Sequence, residues 1–365
     1  MRSLKLDDIA GCWEGFDKAI WGALDRIRGI RVPRGVKRRD RRLLALPAKM
    51  GGLGLYSYQH DAPLAYTAAS SLSVRMLRPL VEGLDQEDNT RSQSQLTQAA
   101  YQEESKELLN ELPLHDRITM AESASTLGRR WLSAIPSHSR FTMSDNSIQA
   151  NLAYRTLVSG YDRQCRKCAL PNKAGHDEWC MGRRDYRVAR HESVKHQLSS
   201  GLKAIPLSTV TVEPFIAHHM RRNDIRITLE GDGRPVIREE YDLKVVSLSA
   251  PSHQQNLRAN GWTSEEKREV ARDMEEKKYM EDAGRRIRRV LKQQARRKVT
   301  NLPEGDRAPF VPLVISTGGY MEQEMEDKIR EWRRWEMPGI AYTWMLTSVS
   351  VALARARGRT FLGEK

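Results

Sequence analysis

Cysteine is scarce in this chain. There are four in 365 residues, and three of them fall within 16 positions, which excludes a disulfide framework spread along the chain and leaves clustered thiols of the kind that hold a metal. Long apolar runs are also missing. The longest, 340–354, has 15 residues, includes Thr and Ser, and falls short of the roughly 20 residues that cross a bilayer. It reads as a packed helix, and no membrane partner is expected. The first eight residues, MRSLKLDD, lack the apolar core of a signal peptide, which argues against secretion. Acidic residues are outnumbered, 47 against 61 Lys and Arg, for a net charge of +14 and a pI near 9.7. That excess points to a polyanionic partner such as nucleic acid. The mean hydropathy of −0.64 fits a soluble chain with modest cores, and the length allows two or three domains.

What is present divides the chain. Residues 1–85 carry apolar positions at helical spacing (Ile9, Trp13, Phe16, Ile20, Leu24), then basic RGVKRRDRR and a glycine-punctuated LPAKMGGLGLYS. Residues 86–99 are polar and read as a linker. Residues 100–160 are helical again, with a cap expected at Ser144 or Asp145. A cysteine cluster occupies 161–182. From 183 to 335 a helix is followed by β-branched strands, STVTVEPFI, DIRITLE and YDLKVVSL, with a Gly231-Asp232-Gly233 turn between the last two, then charged helices around FVPLVIST. A helix and basic tail fill 336–365. The expected fold class is therefore α+β, mainly α in the first half and α/β in the second. Trp332, Trp335 and Trp344 sit at near-helical spacing and read as core, and isolated Cys12 as a small core residue.

Cys165, Cys168, His176 and Cys180 offer four ligands with short gaps at both ends, the arrangement one tetrahedral Zn²⁺ demands. The competing reading is three ordinary thiols beside a surface histidine.

In YDLKVV, residues two apart point to one face of a strand, so Asp242 and Lys244 share a side while Leu243 and Val245 face the other. Asp224 opens the preceding strand, and if the two strands pair it meets Asp242 near one sheet edge. Two adjoining carboxylates repel unless a cation lies between them, and hard oxygen ligands suit Mg²⁺. Lys244 could then orient an attacking water or stabilise developing negative charge. Glu213 in VTVEPF is a third carboxylate candidate. The bland reading of the same residues is an exposed hairpin with scattered charges.

Between positions 285 and 298 lie eight basic residues and no acid: Arg285, Arg286, Arg288, Arg289, Lys292, Arg296, Arg297 and Lys298. Such a helix can track a phosphate backbone or simply be solvated. Arg190 and His191 follow the cysteine cluster. They offer contacts near the acidic residues, with a histidine capping its own helix as the structural alternative. The closing ALARARGRTF reads as backbone-binding or as a frayed basic tail.

The order of these features resembles the C-terminal part of reverse transcriptases from non-LTR retrotransposons that carry a restriction-like endonuclease of the PD-(D/E)-x-K class. The matching pieces run from LLALPAKMGGLGLYS through LGRRWLSAIPS, NLAYRTL, the Cys-Cys-His-Cys cluster, RVARHESVKHQL, VEPFI…RRNDIRI, YDLKVVSLSAPS and EEKKY to FVPLVISTGG, over roughly 40–325. The resemblance implies a post-polymerase helical remnant, a zinc knuckle at 161–182 and a restriction-like α/β nuclease domain at 183–335. It implies an enzyme acting in the nucleus that nicks target DNA to prime reverse transcription, with structural Zn²⁺, catalytic Mg²⁺ and the element's RNA as a further partner. Asp224 and Asp242 correspond to the metal-binding acids, Lys244 to the motif lysine, and Lys278-Tyr279 to a following basic-aromatic pair. Asn223 stands where the family has Pro, and the His-to-Cys gap is three residues rather than four. The chain has no Tyr/Phe-Ala-Asp-Asp polymerase motif, so the resemblance implies no polymerase activity, as expected of a truncated gene model or a fragment of a decayed element. The alternative is an inactive nucleic-acid-binding fragment. The target site and oligomeric state are not legible.

Overall fold

The computed structural model describes residues 10–29, 37–55, 57–77, 79–81, 91–158, 164–165, 167–170, 175–216, 221–231, 235–258, 278–300 and 309–362. The protein is α+β, mostly helical around a small four-stranded mixed sheet.

The N-terminal part is α1 (Ala10–Arg28), α2 (Lys37–Ala45), α3 (Tyr58–Leu77), α4 (Gln93–Glu111), α5 (Leu114–Ala124), α6 (Thr126–Arg130) and α7 (Asp145–Arg155). Ser92 caps α4 through a reciprocal capping box with Gln95, so the second half of the expected 86–99 linker is helix; residues 86–90 lie outside the described residues. Ser144 caps α7 as expected. Asp17 on α1 is fully buried and accepts from the backbone N–H groups of Tyr58 and Gln59, satisfying the start of α3 from another helix. Leu43, Leu46, Leu108, Leu112 and Met120 form a small core between these helices. Cys12 is exposed rather than core.

Arg155 joins the glycine-rich segment to the rest. It is 2 % exposed and has only backbone carbonyls about it, donating to Gly52 O at 2.6 Å, Ala48 O at 2.7 Å, Ser123 O at 2.6 Å and Gly128 O at 3.2 Å. With no carboxylate to offset desolvation, its pKa falls to about 9.

The sheet follows α8 (His176–Trp179) and α9 (Arg184–Leu202). Its strands are β1 (Ser208–Val212), β4 (Ile225–Leu229), β5 (Ile237–Val246) and β6 (Phe310–Ser316), in that spatial order. β1, β4 and β5 pair antiparallel and β6 runs parallel to β5, so the chain crosses between β5 and β6 through α10 (Pro251–Arg258) and α11 (Lys278–Thr300). The expected single strand over VTVEPFI is broken: Glu213 takes φ 52, and β2 (Phe215–Ile216) pairs separately with β3 (Arg221–Arg222). The expected Gly231-Asp232-Gly233 turn and the 262–277 part of the charged helix fall largely outside the described residues.

Strand alternation assigns the two cores. Ile225, Ile227, Tyr241, Leu243, Leu313 and Ile315 face α9, α12 (Gln323–Arg334) and α13 (Gly339–Leu362). Val246 and Val314 instead pack beneath α11 with Ile287, Val290 and Leu291. Each fully buried aliphatic side chain is worth ~1.5–3 kcal/mol, so the period-2 pattern fixes which helix covers which face. Trp332 is fully buried and donates from Nε1 to Tyr241 Oη at 3.0 Å. Trp335 packs at the margin of that core, but Trp344 is 44 % exposed, edge-on to Phe141.

The expected basic tail is instead the last turns of α13. Val349, Ala352, Leu353 and Ala356 are buried, and the helix packs against α6, α7 and α9. Its arginines had suggested solvent, but Arg357 turns inward to Glu178 at 3.0 Å. No described helix is long and apolar enough to cross a membrane.

Candidate functional site

Two groups of chemically able side chains lie around this sheet. The first is the cysteine cluster. Ligand atoms of Cys165, Cys168, His176 and Cys180 all lie within 4.8 Å of one another, the sole such group of three or more His, Cys, Asp and Glu among the described residues. Cys165 Sγ and Cys180 Sγ are 3.8 Å apart, which is about the edge of a tetrahedron with 2.3 Å Zn–S bonds. Cys168 Sγ and His176 Nε2 stand at 3.2 Å. A tight turn sets the first pair of ligands: Cys165 N donates to Leu170 O at 2.8 Å and Ala169 N to Cys165 O, with Ala169 at φ 58. Gly175 at φ 78 starts α8, which returns His176 and Cys180. Burial would raise the Cys165 thiol, but the backbone N–H groups of Lys167 and Cys168 outweigh it and hold the pKa near 6. These donors fit Zn²⁺, and the cluster can hold one ion.

α8 is anchored by a buried carboxylate. Glu178, between His176 and Cys180, takes Arg357 Nε on Oε1 and the hydroxyls of Thr317 and Ser247 on Oε2. The cysteine cluster is thereby fastened to the ends of β5 and β6. Neither Glu178 nor its buried neighbour Glu122 stood out in the sequence. Only the burial and the distant partners of each, invisible before folding, mark them.

The second group is the acidic row. Val212 pairs with Ile225, and Ile225 with Tyr241, so Glu213 just past the end of β1, Asp224 just before β4 and Asp242 in β5 stand next to one another. Glu213 N donates to Asp224 O at 2.9 Å and Asp224 N to Tyr241 O at 3.0 Å. Asp224 and Asp242 act on each other's charge, and Asp224 Oδ2 accepts Leu243 N at 2.6 Å. Glu213 is turned toward Lys195, whose Nζ lies 2.7 Å from both Glu213 and Glu192.

Cations surround this row. His191 Nε2 is 3.2 Å from Asp224 Oδ2 and 3.2 Å from Leu243 O, so it does not merely cap its own helix. Lys298 Nζ is 2.6 Å from Asp242 Oδ2. Lys244 is beside them, its pKa lowered by desolvation and by Lys298 and Arg297, with Asp242 opposing. Burial would raise Asp224, but His191 outweighs it and holds that carboxyl low. Burial raises Asp242 despite Lys298, since Asp224 is already charged. As pH falls, Asp242 is therefore the first of the pair to take up a proton.

Asn223 is buried with its Oδ1 unpartnered, its amide donating to Glu240. Arg226 also holds Glu240, at 2.6 Å. Of the basic helix, Arg288, Lys292, Arg296 and Arg297 are exposed, Arg285 and Arg289 half-buried. Arg286 turns inward to Asp282 and Leu257 O. Arg190 is 5 % exposed and faces away from the acidic row, toward Glu178, which corrects its expected position near Asp224. The side chain of Lys278 lies outside the described residues.

No protein-family model matches the chain. The curated proteins likewise hold no match to it.

Proposed function

We propose that the chain is a metal-dependent DNA endonuclease of the PD-(D/E)-x-K class, joined to a zinc knuckle and derived from a retrotransposon reverse transcriptase. The observation that carries the reading is the register that brings Glu213 and Asp224, at the adjoining ends of β1 and β4, beside Asp242 in β5, with Lys244 and Lys298 at hand. A Mg²⁺ ion on Asp224 and Asp242 would neutralise the scissile phosphate and favour attack by water.

The chain's own groups set up the rest. His191 holds Asp224 charged and fixed. Lys244, with its pKa lowered, can accept a proton from an incoming water or, when charged, stabilise the negative charge that develops on phosphate. Exposed Arg288, Lys292, Arg296 and Arg297 supply sequence-independent backbone contact. On this reading the substrate is target DNA in the nucleus, with the element's RNA as a second partner. A chain of this kind has no polymerase activity of its own.

A second reading, an inactive nucleic-acid-binding fragment, draws on one observation: His191 and Lys298 already pair the two aspartates. A supercoiled-plasmid nicking assay separates the two. The endonuclease reading expects nicking by the parent with Mg²⁺, at least about 100-fold less with Asp242→Ala, and none in EDTA. Equal nicking by both proteins, or by neither, counts against the acidic row as an active nuclease site.

A further inference from the structure

Arg190 and His191 are neighbours on α9, and successive side chains on a helix diverge by about 100°. His191 reaches the acidic row. Arg190 instead opens onto a groove of about 400 Å³ between α9 and α13, whose lining includes Asp185, Arg190, Arg355 and Arg359. Small side chains make its floor: Ala189 and Ser193 lie one turn apart on α9, as do Ala352 and Ala356 on α13. Three arginines and one aspartate supply its charge.

The guanidinium of Arg190 is not satisfied by the protein. It is 5 % exposed, and its Nε is buried with no hydrogen-bond partner, an unfavourable state for a charged group. The acid that acts on it most, Glu178, is already engaged by Arg357, Thr317 and Ser247. Like charges crowd it as well: Arg357 and Arg187 act on Arg190, and Arg359 acts on Arg355. Arg355 is fixed by the carbonyls of Ser139 and Thr142, so it presents its charge at a set position. An anion with several acceptor oxygens would relieve the mutual repulsion of these arginines.

We propose that this groove seats a phosphodiester of a single nucleic-acid strand. Arg190 and Arg359 supply the positive charge that meets the phosphate, and Tyr186 lines the same groove, where an aromatic ring suits a base. The groove lies on the other side of α9 from Asp224, so it holds a segment apart from the one at the acidic row. The proposal does not depend on cleavage.

The test is fluorescence anisotropy of a labelled 12-nucleotide single-stranded DNA with the full chain, in EDTA so that nothing is cut. Arg359→Glu and Ser193→Glu each place a carboxylate in the groove without touching buried Arg190. Each is expected to weaken binding at least fivefold, and Arg359→Glu to flatten the log-affinity against log-salt slope by roughly 0.7, one phosphate on a single strand. The exposed control Arg330→Glu on α12 is expected to stay within twofold. Affinities within twofold of the parent for both groove variants would overturn the proposal. So would a groove that binds inorganic phosphate, read by ³¹P line broadening lost in Arg359→Glu, while oligonucleotide affinity is unchanged; the site would then serve a free phosphate. Circular dichroism of each variant confirms folding, and Ser193→Gln, which fills the groove without charge, is expected to weaken binding less than Ser193→Glu.

Discussion

Lys298 Nζ lies 2.6 Å from Oδ2 of Asp242, a carboxylate 56 residues earlier in the chain. The D-x-K spacing singles out Lys244 as the partner of Asp242, yet the direct ion pair comes from the far end of α11. A lysine in that place competes with a divalent cation for the same oxygen. Lys298→Ala is therefore expected to bind Mg²⁺ about three- to tenfold more tightly at pH 8, by isothermal titration calorimetry, and to lose ~1–3 kcal/mol of metal-free stability, because Asp242 is left buried beside Asp224. Lys244→Ala, whose amine makes no such pair, should keep Mg²⁺ affinity within about twofold. Weaker Mg²⁺ binding by Lys298→Ala would mean that the ammonium supports the site rather than competes for it.

These residues show where sequence reading reaches and where it stops. Alternation in DIRITLE and YDLKVV sets Ile225, Ile227, Leu243 and Val245 against Asp224, Asp242 and Lys244. Because strand period is 2, the meeting of the two aspartates follows from pairing alone. The ligand spacing of the cysteine cluster was equally local. The approach of Lys298 to Asp242 depends on a long helix crossing from β5 to β6, and that of His191 to Asp224 on how α9 lies over the sheet. No local pattern encodes either. The polarity of the α13 arginines suggests exposure, whereas Ala352, Leu353 and Ala356 carry the buried stripe and Arg357 has a buried carboxylate to meet. The helix inside the supposed linker was readable after all, from Ser92 and Gln95 at capping-box spacing.

Zinc is expected to be part of the folded chain. The parent should carry about one Zn²⁺ per chain by mass spectrometry, and Cys168→Ser little of it, because three remaining ligands leave a tetrahedral site open. The effect should spread beyond the cluster. Glu178 sits on the turn between His176 and Cys180 and docks on Arg357, so loss of the ion should lower Tm by at least about 5 °C. Undiminished zinc content in Cys168→Ser would remove that residue from the ligand set.

His60 offers a pH test of the N-terminal helices. Its Nδ1 lies 3.0 Å from Asp61 Oδ1, its ring stacks on Tyr101 at 4.9 Å, and Tyr101 Oη donates to Asp61 Oδ2 at 2.8 Å. The hydrogen bond to Asp61 raises the His60 pKa above 6.5, desolvation opposes it, and Glu104 on α4 adds to the rise. A raised histidine pKa means that the folded state holds the proton more tightly. Its stabilisation is complete below 6.5 and disappears as pH climbs through the raised value. In urea titrations the stability gap between the parent and His60→Gln should be largest near pH 5.5 and shrink by pH 8.5. A gap that widens with pH would reverse the assigned sign.

The turn after β6 should tolerate no side chain. Gly319 has φ +92, and a Cβ there would stand 2.6 Å from Gly128 N and 2.8 Å from the carbonyl carbon of Leu127, both backbone atoms that cannot step aside. Ser125 Oγ, which caps α6, also donates to Gly319 O at 3.0 Å, so any shift of the turn pulls on that cap. Gly319→Ala combines left-handed backbone strain with a steric clash and should cost about 2–4 kcal/mol in urea unfolding. Gly339, at the start of α13, has nothing within 4 Å of a Cβ and an ordinary helical φ. There the same change should be neutral or stabilise by up to ~0.5 kcal/mol. If both alanines gave the same stability, the close approach of the β6 turn to α6 would be wrong, and with it the seating of the N-terminal helices on the sheet.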